Sequence, residues 1–327
     1  MTHKQCISIS QIRSTLMPIW LAFWIAFMIS GAGNSYALEG VQVSYLYNLS
    51  NFNGFVPFNW AHLSVDEDRN EIYVVDPREN EVRVFNENGM EVYRFGDEQI
   101  QAPIVDVAVK KEGDILLLLR KDRKHIIMAC NFKGELLNEL ELKYVPPDFA
   151  GFSPDRMVYR DERIYLLENL SLRLVVTDID GRFQAGYDLG LLLEIDEEKV
   201  AQTDIGGLSV DRQGNILFTI PVLFSAFKLF PDGKIASFGS PGGAPGKFNV
   251  IGDIVADDRG HYYVADRLKS VVLIFDRNFR FLKQFGYGGS KQENLFAPRN
   301  LALDWKGRLY VSQLRSKGVS IFKITYD

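Results

Sequence analysis

One pattern recurs six times along this 327-residue chain, and it limits the fold more than any other feature. The copies are HLSVDEDRNEIYVVD from His62, DVAVKKEGDILLLLR from Asp106, RMVYRDERIYLLE from Arg156, GLSVDRQGNILFTI from Gly207, DIVADDRGHYYVAD from Asp253 and NLALDWKGRLYVSQ from Asn300. Each joins a short apolar run to a second run rich in β-branched and aromatic residues, through a polar turn that usually carries Asp and Gly. Such a pair reads as a β-hairpin. The copies start 44, 50, 51, 46 and 47 residues apart. After each comes a loop and a third apolar run (VRVFN, IIMAC, LVVTD, AFKLF, VLIFD, VSIFK). A turn such as NENG, NFKG, DIDG or FPDG and a fourth strand follow in every copy but the last. Four antiparallel strands per unit, without the 3.6-residue periodicity of a helical solenoid, predict an all-β chain: a six-bladed β-propeller of four-stranded antiparallel blades. A β-sandwich needs no repeat of this regularity.

The sixth copy stops after GVSIFKITYD, one strand short. The segment VQVSYLYNLSNF, from Val41, is a strand with no place in the first blade. An open ring would leave two edges with unpaired backbone donors and acceptors. Residues 41–50 are therefore expected to close the ring as the outer strand of the last blade.

The first 37 residues read differently. Lys4 and Arg13 precede the apolar run LMPIWLAFWIAFMISGAG, and Ser35-Tyr36-Ala37 fits a small-x-small cleavage site. This is the pattern of a secretory signal peptide over 1–37, with an uncleaved anchor as the alternative. Residues 38–327 then form a single propeller domain, periplasmic or secreted, with no membrane span after cleavage. Removing Lys4 and Arg13 leaves 35 basic against 42 acidic residues, a charge of −7, which argues against a nucleic-acid partner. Only Cys130 remains after cleavage, so the core holds the fold without a disulfide.

Two stretches, YVVDPRENEVRVFNENGMEVYRFG and YVADRLKSVVLIFDRNFRFLKQFG, resemble NHL repeats, whose pattern runs Tyr-Val-x-Asp, a short polar loop, then an apolar strand ending in Phe. The second, third and fourth copies depart from it, with Arg120, Glu168 or Pro221 near the loop Asp. The resemblance implies that the first strand of each blade lines a central channel. It also implies that the loops between second and third strands share a face with the loops joining blades. His62, Asp106, Arg156, Gly207, Asp253 and Asn300 then stand at the channel mouth. Of these, His62, Asp106, Asp253 and Asn300 are the candidate ligands for a cation such as Ca²⁺ or Zn²⁺; otherwise no cofactor is expected. The loops between second and third strands add a basic rim that includes Arg120, Arg123, Arg267, Lys269 and Arg315. Nine basic residues oppose five acidic ones there, which suits an anionic partner. His125 and His261 read as ordinary surface residues.

Some propellers of similar pattern are enzymes. The resemblance to NHL-type amidating lyases implies several His around a metal, and only His62, His125 and His261 remain after cleavage. A lactonase-like, metal-dependent hydrolase or lyase survives as the alternative through Asp106, Asp253 and Asn300. The primary expectation is an exported, non-catalytic scaffold or sensor in the cell envelope that is monomeric outside its complex. Its expected partner is another envelope protein, a redox protein among the options, or an anionic wall polymer.

Overall fold

A computed structural model describes residues 40–96, 100–314 and 317–327. The expected signal segment, 1–37, and Arg315 lie outside the described residues. Six four-stranded antiparallel sheets follow one another along the chain. Their first strands are His62–Asp66, Ile104–Val109, Arg156–Arg160, Leu208–Val210, Ile251–Ala256 and Asn300–Leu303, and each packs beside the next around a ring. Blades 1 to 6 are numbered in that order. Two one-turn helices, Leu189–Leu192 and Glu197–Val200, interrupt the link between blades 3 and 4. Among the described residues no helix is long and apolar enough to cross a membrane.

The closing strand is where the repeat requires it. Val41–Asn48 pairs antiparallel with Val319–Tyr326, from Val41 opposite Tyr326 to Asn48 opposite Ser320, with one irregularity between Tyr45 and Tyr47. It completes blade 6, whose strands run Val41–Asn48, Val319–Tyr326, Arg308–Ser312, Asn300–Leu303 from rim to axis. Leu49, just beyond, is fully buried, and its N–H donates to Val319 O at 3.0 Å.

The recurring Asp and Asn are turn chemistry. Asn86 Oδ1 accepts from the N–H of Asn88 and Met90, Asn131 from Lys133 and Glu135, Asp178 from Asp180 and Arg182, and Asp276 from Asn278 and Arg280. The same device closes hairpins between first and second strands at Asp66, Asp211 and Asp257. A short acceptor at the first turn position fixes the reversal locally, before distant strands meet. Blade 5 alone puts a bulky residue, Phe279 at φ +64°, where Gly89, Gly134, Gly181 and Gly233 stand in blades 1 to 4. Its ring stacks on Phe238 of blade 4, with centroids 4.6 Å apart at 9°, so an inter-blade contact offsets the strained backbone.

The loop Asp of the repeat also has a structural use. Asp266 accepts from Lys269 N–H within its own loop and from Asn249 N–H on the segment entering the blade. Glu168 of blade 3 accepts from Ser153 N–H, and Gln313 of blade 6 accepts from Phe296 N–H. Different side chains thus hold the entering segment where the motif has drifted.

Blades 4, 5 and 6 approach closely at the axis. A Cβ added to Gly207 would overlap Asp253 Oδ1 and Cα, which is why one position of the polar ring is glycine. Gly207→Ala must displace backbone rather than a flexible side-chain end. It is expected to lose about 3 kcal/mol of stability, read as a lower urea midpoint with unchanged slope.

Candidate functional site at the channel mouth

His62, Asp106, Arg156, Gly207, Asp253 and Asn300 line one cavity of about 420 Å³ that draws on all six first strands. The structure therefore brings the expected ring together, but gives its members different work. Asp106 Oδ1 accepts from Val107 N–H at 2.9 Å and Oδ2 from Met157 N–H at 3.0 Å, which ties blade 2 to blade 3. Asp253 accepts from Ile254 N–H at 2.9 Å and Leu301 N–H at 3.0 Å, tying blade 5 to blade 6. Asn300 Nδ2 donates to Trp60 O and Ala61 O, both at 2.9 Å, tying blade 6 to blade 1.

The other three joints carry equivalent clamps. Asn80 Oδ1 accepts from Ile104 N–H at 2.8 Å across blades 1 and 2. Asn169 Oδ1 accepts from Ile205 N–H at 2.8 Å on the way from blade 3 into blade 4, and the Thr219 hydroxyl donates to Gly252 O between blades 4 and 5. Every blade-to-blade joint at this end thus has a side chain bound to backbone that would otherwise be buried without a partner.

Those commitments bear on the expected cation site. The Asp106 and Asp253 oxygens already accept from backbone N–H groups, Asn300 presents donors to carbonyls, and the His62 ring faces the Arg156 guanidinium at 2.9 Å, with Asp106 Oδ1 3.6 Å from its Nδ1. Among the described residues no three His, Cys, Asp or Glu side chains gather as a metal-binding group. The donor set does not fit Ca²⁺ or Zn²⁺. Burial pushes the carboxyl of Asp106 up to about 6 and that of Asp253 up to about 7, against partial relief from Arg156 and their backbone donors. Burial, then Arg156 and Arg299, holds the His62 imidazole well below its ordinary 6.5, so it is neutral at pH 7.

What remains free at the mouth is positive charge. Arg156 Nη1 lies 2.9 Å from His62 Nδ1. The guanidiniums of Arg267 and Arg299 lie 4.7 and 5.2 Å from the centre of the Trp60 ring. Burial, then Arg156 and Arg267, pull Arg299 below its ordinary value against partial relief from Asp253 and Asp204, so Arg299 lies in the field of both other cations. Among the described residues no carboxylate comes within ion-pair distance of any of the three. The Nε of Arg267 is buried with no hydrogen-bond partner.

Beyond the axis the basic rim divides. Arg120 and Arg123 are exposed on the tight loop of blade 2, where Asp122 and Arg123 both have positive φ. Lys269 was expected as a rim charge; instead its ammonium donates to Ala244 O and Lys247 O at 3.0 Å and to Gln284 Oε1 at 3.2 Å, and so braces the link between blades 4 and 5. His261 also departs from expectation. It is buried against Asp257 Oδ2 at 2.9 Å and stacks on Tyr326 at 4.0 Å, because its turn is folded under the closing blade. Trp60 escaped the sequence reading, and Arg299 counted there only as one charge of a blade-joining loop, since both precede first strands in segments read as connections. Their places one residue before Asn300 and two before His62 were the available signal.

The comparisons with known proteins fit this geometry at the level of architecture. No family model matches the chain, and no curated protein matches it. Solved structures do. A protein of unknown function from Bacteroides thetaiotaomicron is 14% identical, covering 88% of this chain and 76% of that one at a TM-score of 0.63. A virginiamycin B lyase from Staphylococcus aureus is 13% identical, covering 88% and 99% at 0.57. A gluconolactonase from Xanthomonas campestris is 14% identical, covering 88% and 91% at 0.56. The likeness is one of fold. At such identities the propeller is shared and the chemistry is not thereby carried over, so function rests on the mouth itself.

Proposed function

We propose that this protein is a non-catalytic binding module that docks a partner protein on its channel-mouth face. The observation that carries the reading is a run of exposed leucines and a valine over three consecutive blades of that face, the other exposed ones, Leu46, Val92, Leu136 and Leu137, lying on outer strands. Leu170, Val222, Leu223 and Leu268 are exposed on the loops between second and third strands of blades 3, 4 and 5, and Leu191 and Leu192 on the link leaving blade 3. All six belong to the mouth face over consecutive blades, beside the arginines at the axis. Exposed apolar side chains gathered on one face mark a contact surface, and the neighbouring cations suit a docking segment that mixes carboxylates with apolar residues. A purely anionic wall polymer would leave the leucines uncovered. The basic, apolar-containing sequence of segment 1–37 supports export, and the proposed partner is accordingly a protein of the periplasm or the cell exterior.

A photo-crosslinking residue at Leu223 or Leu268 of the full chain, in its native cells, should give protein adducts. The same residue at Phe132 or Trp305, on the opposite face, should give few. Equal labelling of the two faces would sink the reading. The alternative, a lactonase-like hydrolase or lyase, draws on one arrangement: burial raises the carboxyls of Asp106 and Asp253 to about 6 and about 7, and Asp106 lies 3.6 Å from His62, whose imidazole is held well below its ordinary value. Stoichiometric Ca²⁺ or Zn²⁺ in the purified protein, lost in Asp253→Ala, would favour that alternative.

A further inference from the structure

We propose that the channel mouth is a binding site for one oxyanion, a carboxylate, sulfate or phosphate group, held by the guanidiniums of Arg156, Arg267 and Arg299. Three arginines from different parts of the ring converge on one end of the channel, and none is neutralised by an ion pair among the described residues. Gathering like charges in a half-buried site costs free energy unless an anion shares it. Planar guanidiniums are the groups best shaped to grip a carboxylate or phosphate through paired N–H donors.

Two further features point the same way. The buried Arg267 Nε lacks an acceptor, although nearly all buried polar groups have one. Trp60, under two of the three guanidiniums, is held in an unfavourable conformation at φ +52°. It is fixed there from three directions: its indole N–H donates to Ala297 O at 2.9 Å, its backbone N–H to Gln313 O at 3.2 Å, and its carbonyl accepts from Asn300. A bulky residue kept at positive φ is a strain of about 1–3 kcal/mol that persists where the surroundings over-determine it, and such strain concentrates at ligand sites. Here it sets the ring against Arg267 and Arg299 and orients both through cation–π contact. Of the carboxyls in reach, Asp106 and Asp253 are turned to backbone N–H groups of the clamps, and exposed Asp204 acts on Arg299 without pairing with it.

The inference deepens the docking reading, since a partner's carboxylate would fill the site, and it holds equally for a free anion. The full chain is titrated calorimetrically with sodium phosphate, sodium sulfate and sodium acetate in turn, at constant ionic strength. Saturable one-to-one binding of at least one of them is expected. Arg267→Gln and Arg299→Gln should each weaken that binding tenfold or more, while Lys133→Gln on the opposite face leaves it within twofold. Arg267 donates no side-chain hydrogen bond to the fold, so Arg267→Gln stays informative even if Arg299→Gln unfolds. Absence of saturable binding by all three anions, or unchanged affinity in Arg267→Gln, overturns the proposal. If crosslinking still marks the mouth face in that event, the partner reading stands and the oxyanion site alone is rejected.

Discussion

Deleting residues 41–49 should unfold the entire propeller rather than fray one edge. The deletion removes seven paired positions along Val319–Tyr326 and the buried side chains of Val41 and Leu49. It also removes half-buried Val43 and Tyr45, the latter packed edge-on against Phe322 at 5.7 Å. At about 1.5–3 kcal/mol for each fully buried large apolar side chain, with the lost ladder added, the total is on the order of 10 kcal/mol. That matches the roughly 5–15 kcal/mol that holds a whole domain together. Circular dichroism should show no cooperative melt, and the synthetic peptide VQVSYLYNL added in excess should restore one. A deletion variant that melts cooperatively within a few degrees of wild type would show that the ring does not depend on its closure.

The second large effect is a pH dependence set by Asp253. Burial raises its carboxyl from an unfolded value of 3.8 to about 7, so between those values the folded protein keeps a proton that the unfolded chain has released. The resulting stabilisation is fully present below about pH 4 and is lost as pH rises through about 7. It amounts to ~4 kcal/mol at 1.36 kcal/mol per pKa unit. Asp106 acts in the same direction up to about 6. His62 acts in the opposite direction below 6.5, because the folded state resists its protonation. A difference measurement separates them. Relative to Asp253→Asn, wild type should lose ~4 kcal/mol between pH 4 and pH 8 in urea unfolding. A gap that stays constant across that range would mean that Asp253 is solvated rather than buried against Leu301 and Ile254.

The architecture was legible because two signals act locally and repeat. Asp-x-x-Gly turns and alternating apolar strands declare a hairpin within about fifteen residues, as in GLSVDRQGNILFTI. The closing strand was legible by elimination, since Val41–Asn48 had nowhere else to pair. The site was less legible, because a position at the axis does not say which way a side chain's hydrogen bonds run. Asp106, Asp253 and Asn300 were placed correctly in the ring, and only the structure shows them spent on the backbone of the next blade. Lys269 looked like a free charge for the same reason: the carbonyls of Ala244 and Lys247 that hold it are more than twenty residues away. Trp60 is legible only once its φ is known, since no local motif marks a strained tryptophan in a connecting segment.

The register of the closing strand also fixes an orientation. Val41 pairs with Tyr326, and Asp327 N–H donates to Gly40 O at 3.0 Å. Residues 40 and 327 therefore meet at the end of blade 6 remote from Asn300 and the mouth. A tether fixed to Asp327, on a sensor chip or a bead, leaves from the back of the disc and presents the arginines and the leucine-bearing loops outward. Covering that back surface should cost the mouth nothing.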